Sequence, residues 1–219
     1  MNFPLAGWDV ALAELAPLVR RVVTLDPSSL VRLRARGRRL TLLVRLPFGV
    51  LAARTVTAEE EVAASEGVDI TVAAADLMNW LDGDRREPPS ERNADWRGAA
   101  PPVDAWRRLD TVPDDVVRHL VRTGALTVRQ AAEREGVPGA QPRAAVTEAL
   151  LDAVVLTASD DAGHSAAITL RTLSALTRLG FLARQSHIAV DVAGRWTRVA
   201  AAYGSVYAER PVLGINVLR

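Results

Sequence analysis

Six arginines occur within residues 31–46, VRLRARGRRLTLLVRL, where they are interspersed with aliphatic residues. Because alternate residues of an extended chain point to the same side, this pattern predicts two strands that each have an aliphatic face and an arginine face. Guanidinium groups donate paired hydrogen bonds to carboxylates and phosphates, so the arginine face could bind an anion or an acidic partner. The candidate residues on that face are Arg32, Arg34, Arg39 and Arg45. The alternative is that these arginines only form surface ion pairs within the chain, for example with the glutamates at 59–61.

Aromatic residues cluster towards the C-terminal end of the sequence, although they make up only 5% of the chain. Trp196 and Tyr207 lie close in sequence to Arg195 and Arg198, and such combinations are common at the centres of protein interfaces. Arginines also stack on aromatic rings inside small domains, so a core position is the alternative, and the pattern favours it for Trp196. Trp196 and Tyr207 are therefore candidate interface residues.

Residues 126–154 have the pattern of a helix-turn-helix, with Ala132 in a first predicted helix, Gly136 at the turn and Pro142 at the start of a second helix. In this interpretation the second helix enters the major groove of DNA. The side chains that would then face DNA are Gln141, Arg143 and Thr147. The stretch PGAQPR makes the turn longer than usual, and Glu148 would repel phosphate, so two plainly packed helices are the alternative.

The sequence contains three histidines, and none has a second histidine or a cysteine at a metal-ligand spacing. Asp160, Asp161 and His164 form a DDxxH pattern, but its setting is typical of a polar turn. Neither GxSxG nor GxGxxG occurs, and a chain without lysine has no standard P-loop and no Schiff-base lysine. The absence of cysteine excludes thiol nucleophiles and thiolate metal ligands. We therefore expect no cofactor, no metal and no nucleotide bound through a P-loop.

A hairpin must position the arginine face, and we place its two-residue turn at 36–37, where glycine can supply a positive φ. Arg34 then pairs with Arg39, and Leu33 pairs with Leu40, so the partners match in character. The other predicted elements of this N-terminal region are a strand at 50–57 and helices at 9–21, 58–65 and 71–81.

The second half of the sequence is predicted to be mainly helical. Val116, Val117, Leu120 and Val121 repeat at helical spacing up to Gly124, which we expect to end the helix. Further helices are predicted at 127–135, 143–158, 168–179 and 195–203, with strands at 187–192, 205–209 and 214–218. A hairpin that turns at 193–194 is the competing interpretation of the last helix.

Residues 83–104, GDRREPPSERNADWRGAAPPVD, contain two Pro-Pro pairs and many charges, which predicts a linker or a long exposed loop. The chain therefore divides into an α+β unit at 1–82, this segment at 83–104, and a helical unit with a strand-containing tail at 105–219. The predicted fold class is α+β. It has a small antiparallel sheet with helices in the N-terminal unit, and a mainly helical C-terminal unit with a short mixed α/β tail.

The net charge is only +1, although residues 1–57 hold nine arginines against three acidic residues. A net charge of +1 is less basic than that of a typical nucleic-acid-binding domain. No stretch is long and apolar enough for a membrane helix, and the first 21 residues lack a secretory signal, so we expect a cytoplasmic protein. The sequence predicts a non-catalytic binding or assembly module that associates with a protein partner or with itself. The alternatives are a DNA-binding regulator that uses residues 126–154, and an enzyme of unrecognised type.

Overall fold

A computed structural model describes residues 7–46, 49–58, 67–83, 88–134 and 140–209 of the chain. The chain divides into two compact units, Met1–Ala100 and Pro101–Arg219. Among the described residues, no helix has both the length and the apolar character that crossing a membrane requires. The helix predicted at 58–65, apart from Ala58, and the strand predicted at 214–218 lie outside the described residues.

The first unit is a four-stranded antiparallel sheet with helices on one face. Its elements are α1 (Asp9–Leu25), β1 (Leu30–Arg36), β2 (Arg39–Arg45), β3 (Leu51–Thr57), β4 (Asp69–Ala73), α2 (Ala74–Asp82) and a short 3-10 turn (Asn93–Asp95). The strands are hydrogen-bonded in the order β4-β1-β2-β3. Leu12, Leu15 and Val19 of α1 are buried at helical spacing, and α1 packs against α2, β2 and β3.

The β1–β2 hairpin keeps the predicted faces but has a different register. Arg36 pairs with Arg39, so the turn lies at 37–38 and not at 36–37. Gly37 takes a φ of 54°, a left-handed conformation that glycine adopts without strain. Leu33 consequently pairs with Leu42. The register differs by two residues, and because side chains alternate with a period of two, every residue stays on its predicted face.

The second unit contains a second four-stranded antiparallel sheet and a separate hairpin. Its elements are β5 (Arg107–Pro113), α3 (Asp114–Arg134), α4 (Ala140–Leu151), β6 (Val154–Ser159), β7 (Ser165–Thr169), α5 (Leu170–Arg178), β8 (His187–Ala193), β9 (Trp196–Ala201) and β10 (Gly204–Glu209). The strands of the larger sheet are ordered β5-β8-β9-β10, and β6 pairs with β7.

The prediction of a mainly helical C-terminal unit is wrong, because the described part of this unit has six strands against three helices. The helix predicted at 143–158 ends at Leu151 and is followed by β6. The helix predicted at 195–203 is β9, whose Trp196 pairs with Ala193 across a turn at 194–195. Trp196, Val199 and Tyr203 have helical spacing, but in so short a run periodicity does not separate a helix from a buried strand.

Gly124 lies within α3 and does not end it, contrary to the prediction. A Cβ atom added at Gly124 would lie 2.5 Å from Cδ1 of Leu170, at the start of α5. Such a separation is far below van der Waals contact, so glycine lets α3 approach Leu170 closely. The residue serves helix packing here, and α3 runs without interruption to Arg134.

Candidate binding surface

One face of the first unit's sheet carries most of the arginines singled out in the sequence. Each strand contributes alternate residues to this arginine face, and the opposite face holds buried aliphatic residues such as Val31 and Leu40. The polar residues of the arginine face are Arg32, Arg34 and Arg36 on β1, Arg39, Thr41 and Arg45 on β2, Thr55 and Thr57 on β3, and Asp69 and Thr71 on β4. All four predicted candidates therefore lie on one face.

Asp69 pairs with two arginines at the β4 side of the arginine face. Arg32 donates from Nε to Asp69 Oδ1 at 2.5 Å and from Nη2 to Asp69 Oδ2 at 2.8 Å. Arg34 Nε lies 3.4 Å from Asp69 Oδ2. The hydrogen bonds that Arg32 donates to Asp69 raise the pKa of Arg32 above its ordinary value. Arg32 and Arg34 are therefore held within the sheet, whereas the glutamates predicted to meet them, at 59–61, lie outside the described residues.

Residues 88–98 lie along the same side of the sheet, at the edge formed by β4. The backbone N–H of Arg92 donates to the carbonyl of Thr71 at 2.7 Å, and the N–H of Thr71 donates to Asn93 Oδ1 at 2.6 Å. The Trp96 ring lies 5.7 Å from the guanidinium carbon of Arg32. Hydrogen bonds therefore cap the edge of β4, and Trp96 packs against one of the predicted candidates.

Arg45 lies at the end of the arginine face that is nearest Gly98. A Cβ atom at Gly98 would lie 2.8 Å from Arg45 Nη2, so the backbone passes directly beside the guanidinium group. Gly98 has a φ of 83°, which also favours glycine. This end of the arginine face is consequently occupied by the chain itself.

At the opposite end of the arginine face, at the hairpin turn, the described residues leave the arginines exposed. Arg36 and Arg39 lie directly opposite each other and are both exposed. In the described part of the chain, neither guanidinium group is bonded to a carboxylate. Arg38, in the turn, donates from Nε to the carbonyl of Ala58 at 2.9 Å and meets no carboxylate among the described residues. We call Arg36, Arg38 and Arg39 the hairpin tip.

The second unit has a polar row that crosses its sheet. Arg108, Asp191, Arg198 and Tyr207 are successive cross-strand neighbours on β5, β8, β9 and β10. The Asp191 side chain is only 2% exposed, and it accepts hydrogen bonds from Arg108 Nε and, at 2.9 Å, from Arg198 Nε. Two guanidinium groups thus balance one buried carboxylate, as burial of a charge requires.

Trp106 covers this row. Its ring lies 4.4 Å from the guanidinium carbon of Arg198 and 5.6 Å from the Tyr207 ring, and its Nε1–H donates to the carbonyl of Pro102 at 3.1 Å. Burial raises the pKa of Tyr207, and the nearby Arg198 only partly opposes that effect. Trp196 is 5% exposed and lies in the core of the unit. Trp196 and Tyr207 both make contacts inside the second unit, and their role at an interface stays a prediction.

The structure describes the helix-turn-helix segment in part. Gln141 and Arg143 belong to α4, but their side chains are outside the described residues, and Thr147 is half-buried. On the same helix, Glu148 accepts from Arg171 Nη2 at 2.7 Å, and Asp152, just beyond α4, accepts from Arg171 Nε at 2.8 Å. The acidic residues near the end of α4 therefore bind α5. DNA contact by this segment stays a prediction.

The DDxxH pattern lies in the turn of the β6–β7 hairpin. Asp160 Oδ1 accepts from the backbone N–H of His164 at 2.8 Å, and Arg107 Nη1 lies 3.1 Å from His164 Nδ1. Burial alone would raise the pKa of Asp160, but hydrogen bonds from His164 lower it below the ordinary value. Within the described residues, no group of three or more acidic or histidine side chains is arranged to hold a metal ion.

Sequence reasoning missed Asp69, Asp191, Trp96 and Trp106 as partners of the arginines. One signal was available for Asp191, since it is a lone carboxylate inside the apolar strand HIAVDVA. A charged residue in such a pattern is almost never buried unless it is paired. Arg36 was missed for a different reason, because the expected register placed it in the turn.

Two family models match the chain. Residues 101–213 match "Domain of unknown function (DUF8185)", and residues 8–98 match "Domain of unknown function (DUF8010)". A search of curated proteins found no matching relative.

Solved structures with a similar fold are bacterial sliding clamps. The DNA polymerase III subunit beta from Pseudomonas aeruginosa aligns with a TM-score of 0.57 at 13% identity, covering 94% of this chain and 65% of its own. The DNA polymerase sliding clamp from Bacillus subtilis gives 0.57 at 9% identity, covering 92% of this chain and 63% of its own. The clamp from Caulobacter crescentus gives 0.52 at 13% identity, with 95% and 67% covered. The chain therefore has a sliding-clamp-like fold dominated by antiparallel sheet, and it spans less than two thirds of the first of these proteins.

Proposed function

The chain belongs to the family described as domain of unknown function DUF8185, and we propose that it is a non-catalytic binding and assembly module with a sliding-clamp-like fold. The observation that carries this proposal is the fold, which aligns over 94% of the chain with a TM-score of 0.57. Because one fold can host many functions, the surface must supply the rest of the argument. The arginine face and its hairpin tip, whose arginines are exposed in the described part of the chain, are the features of that surface that support binding.

The charge distribution favours a protein partner over DNA. Within the described elements, the five helices contain nine arginines and eight acidic residues, so their surfaces are nearly neutral. Strands β1, β2 and β3 contain six arginines and no acidic residue. Binding of duplex DNA depends on neutralising many phosphates with a wide basic surface. A basic region confined to one small sheet suits a smaller acidic partner.

DNA association is the second candidate function. It is favoured by the description of the similar structures as DNA polymerase sliding clamps. It differs from the helix-turn-helix hypothesis, which uses only residues 126–154. Both are tested by retention of the protein on duplex DNA at low and high salt, because phosphate contacts weaken steeply as salt rises. Binding that does not depend on salt, or no binding, would exclude both.

Sedimentation velocity over a wide range of protein concentration tests the assembly part of the proposal. We expect a reversible increase in the weight-average sedimentation coefficient with concentration, because a closed oligomer must be in equilibrium with its subunits. We compare the unmodified chain with the Trp106→Phe variant. This variant keeps an aromatic ring over Arg198, so it should sediment as the unmodified chain does. A protein that stays monomeric at every concentration and captures no protein partner would contradict the proposal.

A further inference from the structure

We propose that the hairpin tip binds an acidic segment of a protein partner through Arg36 and Arg39. This inference rests on the proposed function and gives it a site and a class of partner. Arg36 and Arg39 occupy directly opposite positions on the two strands of the hairpin. Like charges in that arrangement destabilise a sheet unless an anion lies between them. In the described residues, Asp69 supplies that anion for Arg32 and Arg34, and no carboxylate supplies it for Arg36 and Arg39.

The surroundings of this pair are rich in donors. Thr57 on β3 lies opposite Arg39, on the same face. One row away, the hydroxyls of Thr41 and Thr55 are 2.8 Å apart. Arg38 is fixed by its bond to the Ala58 carbonyl, which holds a third positive charge at the turn. Guanidinium and hydroxyl groups together bind oxyanions, so the local chemistry selects a carboxylate or a phosphate.

The geometry of the pair favours an acidic side chain. Arg36 and Arg39 are cross-strand neighbours, so their Cα atoms are roughly 5 Å apart and both guanidinium groups can reach one carboxylate. The hairpin tip presents three arginines that no carboxylate of the described residues meets, which is too little basic surface for a nucleic acid. We therefore assign the site to a short acidic protein segment.

Fluorescence anisotropy tests this assignment with a labelled ten-residue peptide of alternating aspartate and serine. We expect saturable binding to the full chain, weakened at least about tenfold in the double variant Arg36→Glu/Arg39→Glu. The matched control is Arg122→Glu/Arg178→Glu, which changes the same charge at exposed positions on α3 and α5 and should bind the peptide nearly as the unmodified chain does. Arg36→Lys/Arg39→Lys keeps the charge, and we expect an intermediate loss because lysine lacks the paired donors.

A second probe separates protein from nucleic acid as the partner. A labelled oligothymidylate with the same number of negative charges should bind more weakly than the peptide. Equal or tighter binding of the oligonucleotide, with the same loss in the Arg36→Glu/Arg39→Glu variant, would overturn the proposal in favour of a nucleic-acid site. Equal loss of peptide binding in the control variant would also overturn it, because the effect would then come from net charge alone.

The failure of this site can be told from the failure of the proposed function. If the chain self-associates or captures a protein partner but does not bind the peptide, the hairpin-tip assignment is wrong and the binding module stands. If it neither assembles nor captures a partner, the proposed function is wrong. Circular dichroism of each variant shows whether a loss of binding reflects a loss of fold.

Discussion

Arg36 on β1 lies directly opposite Arg39 on β2, at the last residue pair before the hairpin turn. Two pairs further into the sheet, Arg34 faces Thr41 and lies beside Asp69. On the same face, Asp69 thus pairs with Arg32 and Arg34, whereas no carboxylate of the described residues pairs with Arg36 and Arg39. Position along the strand therefore distinguishes two kinds of arginine. Some form ion pairs that hold the sheet together, and others are available to a partner.

Asp69→Asn should release Arg32 and Arg34 from their carboxylate. The free energy of unfolding should fall by about 1 kcal/mol, because both partners are partly exposed and solvent screens the pair. The acidic peptide should bind more tightly to this variant, since the positive region extends along β1. Urea unfolding and anisotropy check the two effects, with Asp104→Asn as the exposed control. Unchanged peptide affinity would show that Arg32 and Arg34 do not join the binding surface.

Asp114→Asn should alter the response of the second unit to acid. Arg118 donates from Nε to Asp114 Oδ2 at 2.9 Å, and the N–H of Ser186 donates to Asp114 Oδ1 at 3.0 Å. These contacts, led by Arg118 and only partly opposed by burial, lower the pKa of Asp114 below its ordinary value of 3.8. The stabilisation is therefore fully present above the unfolded-state pKa, and it is lost as the pH falls through the folded-state pKa.

Urea unfolding from neutral pH down to below 3.8 measures this response. We expect the stability of the unmodified chain to fall more steeply in that window than the stability of Asp114→Asn. Because other carboxylates titrate in the same range, the informative quantity is the difference between the two curves. Parallel curves would contradict the assignment of the lowered pKa to Asp114.

Tyr207→Phe should alter the response to alkaline conditions. Burial raises the pKa of Tyr207 above its ordinary value of 10.0. The resulting stabilisation is fully present below the unfolded-state pKa, and it is lost as the pH rises through the folded-state pKa. The unmodified chain should therefore lose stability more steeply above pH 10.0 than Tyr207→Phe does. Trp106→Ala should expose the phenol and move its absorbance titration towards the ordinary value, and a titration that does not move would contradict the role of Trp106.

Gly124→Ala should destabilise the chain although alanine is the better helix former. The added Cβ would meet both Leu170 methyl groups, at 2.5 and 2.6 Å, and overpacking of this kind typically costs about 1–3 kcal/mol. In a Leu170→Ala background the same substitution should stabilise by up to about 1 kcal/mol, because only helix propensity remains. Thermal or urea unfolding of the unmodified chain, Gly124→Ala, Leu170→Ala and the double variant completes this double-mutant cycle. Additive effects would show that the two residues do not meet.

The sequence was sufficient for the faces of the hairpin but not for its partners. Alternation along 31–46 places the arginines on one side whichever turn is chosen, since both turns contain Gly37 and differ by two residues in register. The carboxylate that pairs with Arg32 and Arg34 comes from β4, and 37 residues separate Arg32 from Asp69. Local sequence patterns do not predict contacts between residues that are so far apart in the chain. The sequence therefore could not show which arginines pair with a carboxylate and which do not.

The wrong prediction of a mainly helical C-terminal unit also arose because local patterns do not determine tertiary pairing. Its short strands are rich in alanine and valine, which suit a buried helix or a buried strand equally well at that length. Trp196 and Tyr203 fit a helical period, yet Gly194 lies in a hairpin turn with a φ of 52°. Tertiary pairing with β8 decides the outcome, and local propensity does not overrule it.

The most direct test of the central claim is a titration of the acidic peptide into labelled protein, followed by NMR of the arginine side-chain Nε–H groups. We expect the resonances of Arg36 and Arg39 to shift in a saturable way. We expect no movement of the resonances of Arg32 and Arg108, which are already bound by Asp69 and Asp191. Saturable shifts confined to Arg32, Arg108 or the helix arginines, with Arg36 and Arg39 unaffected, would contradict binding at the hairpin tip.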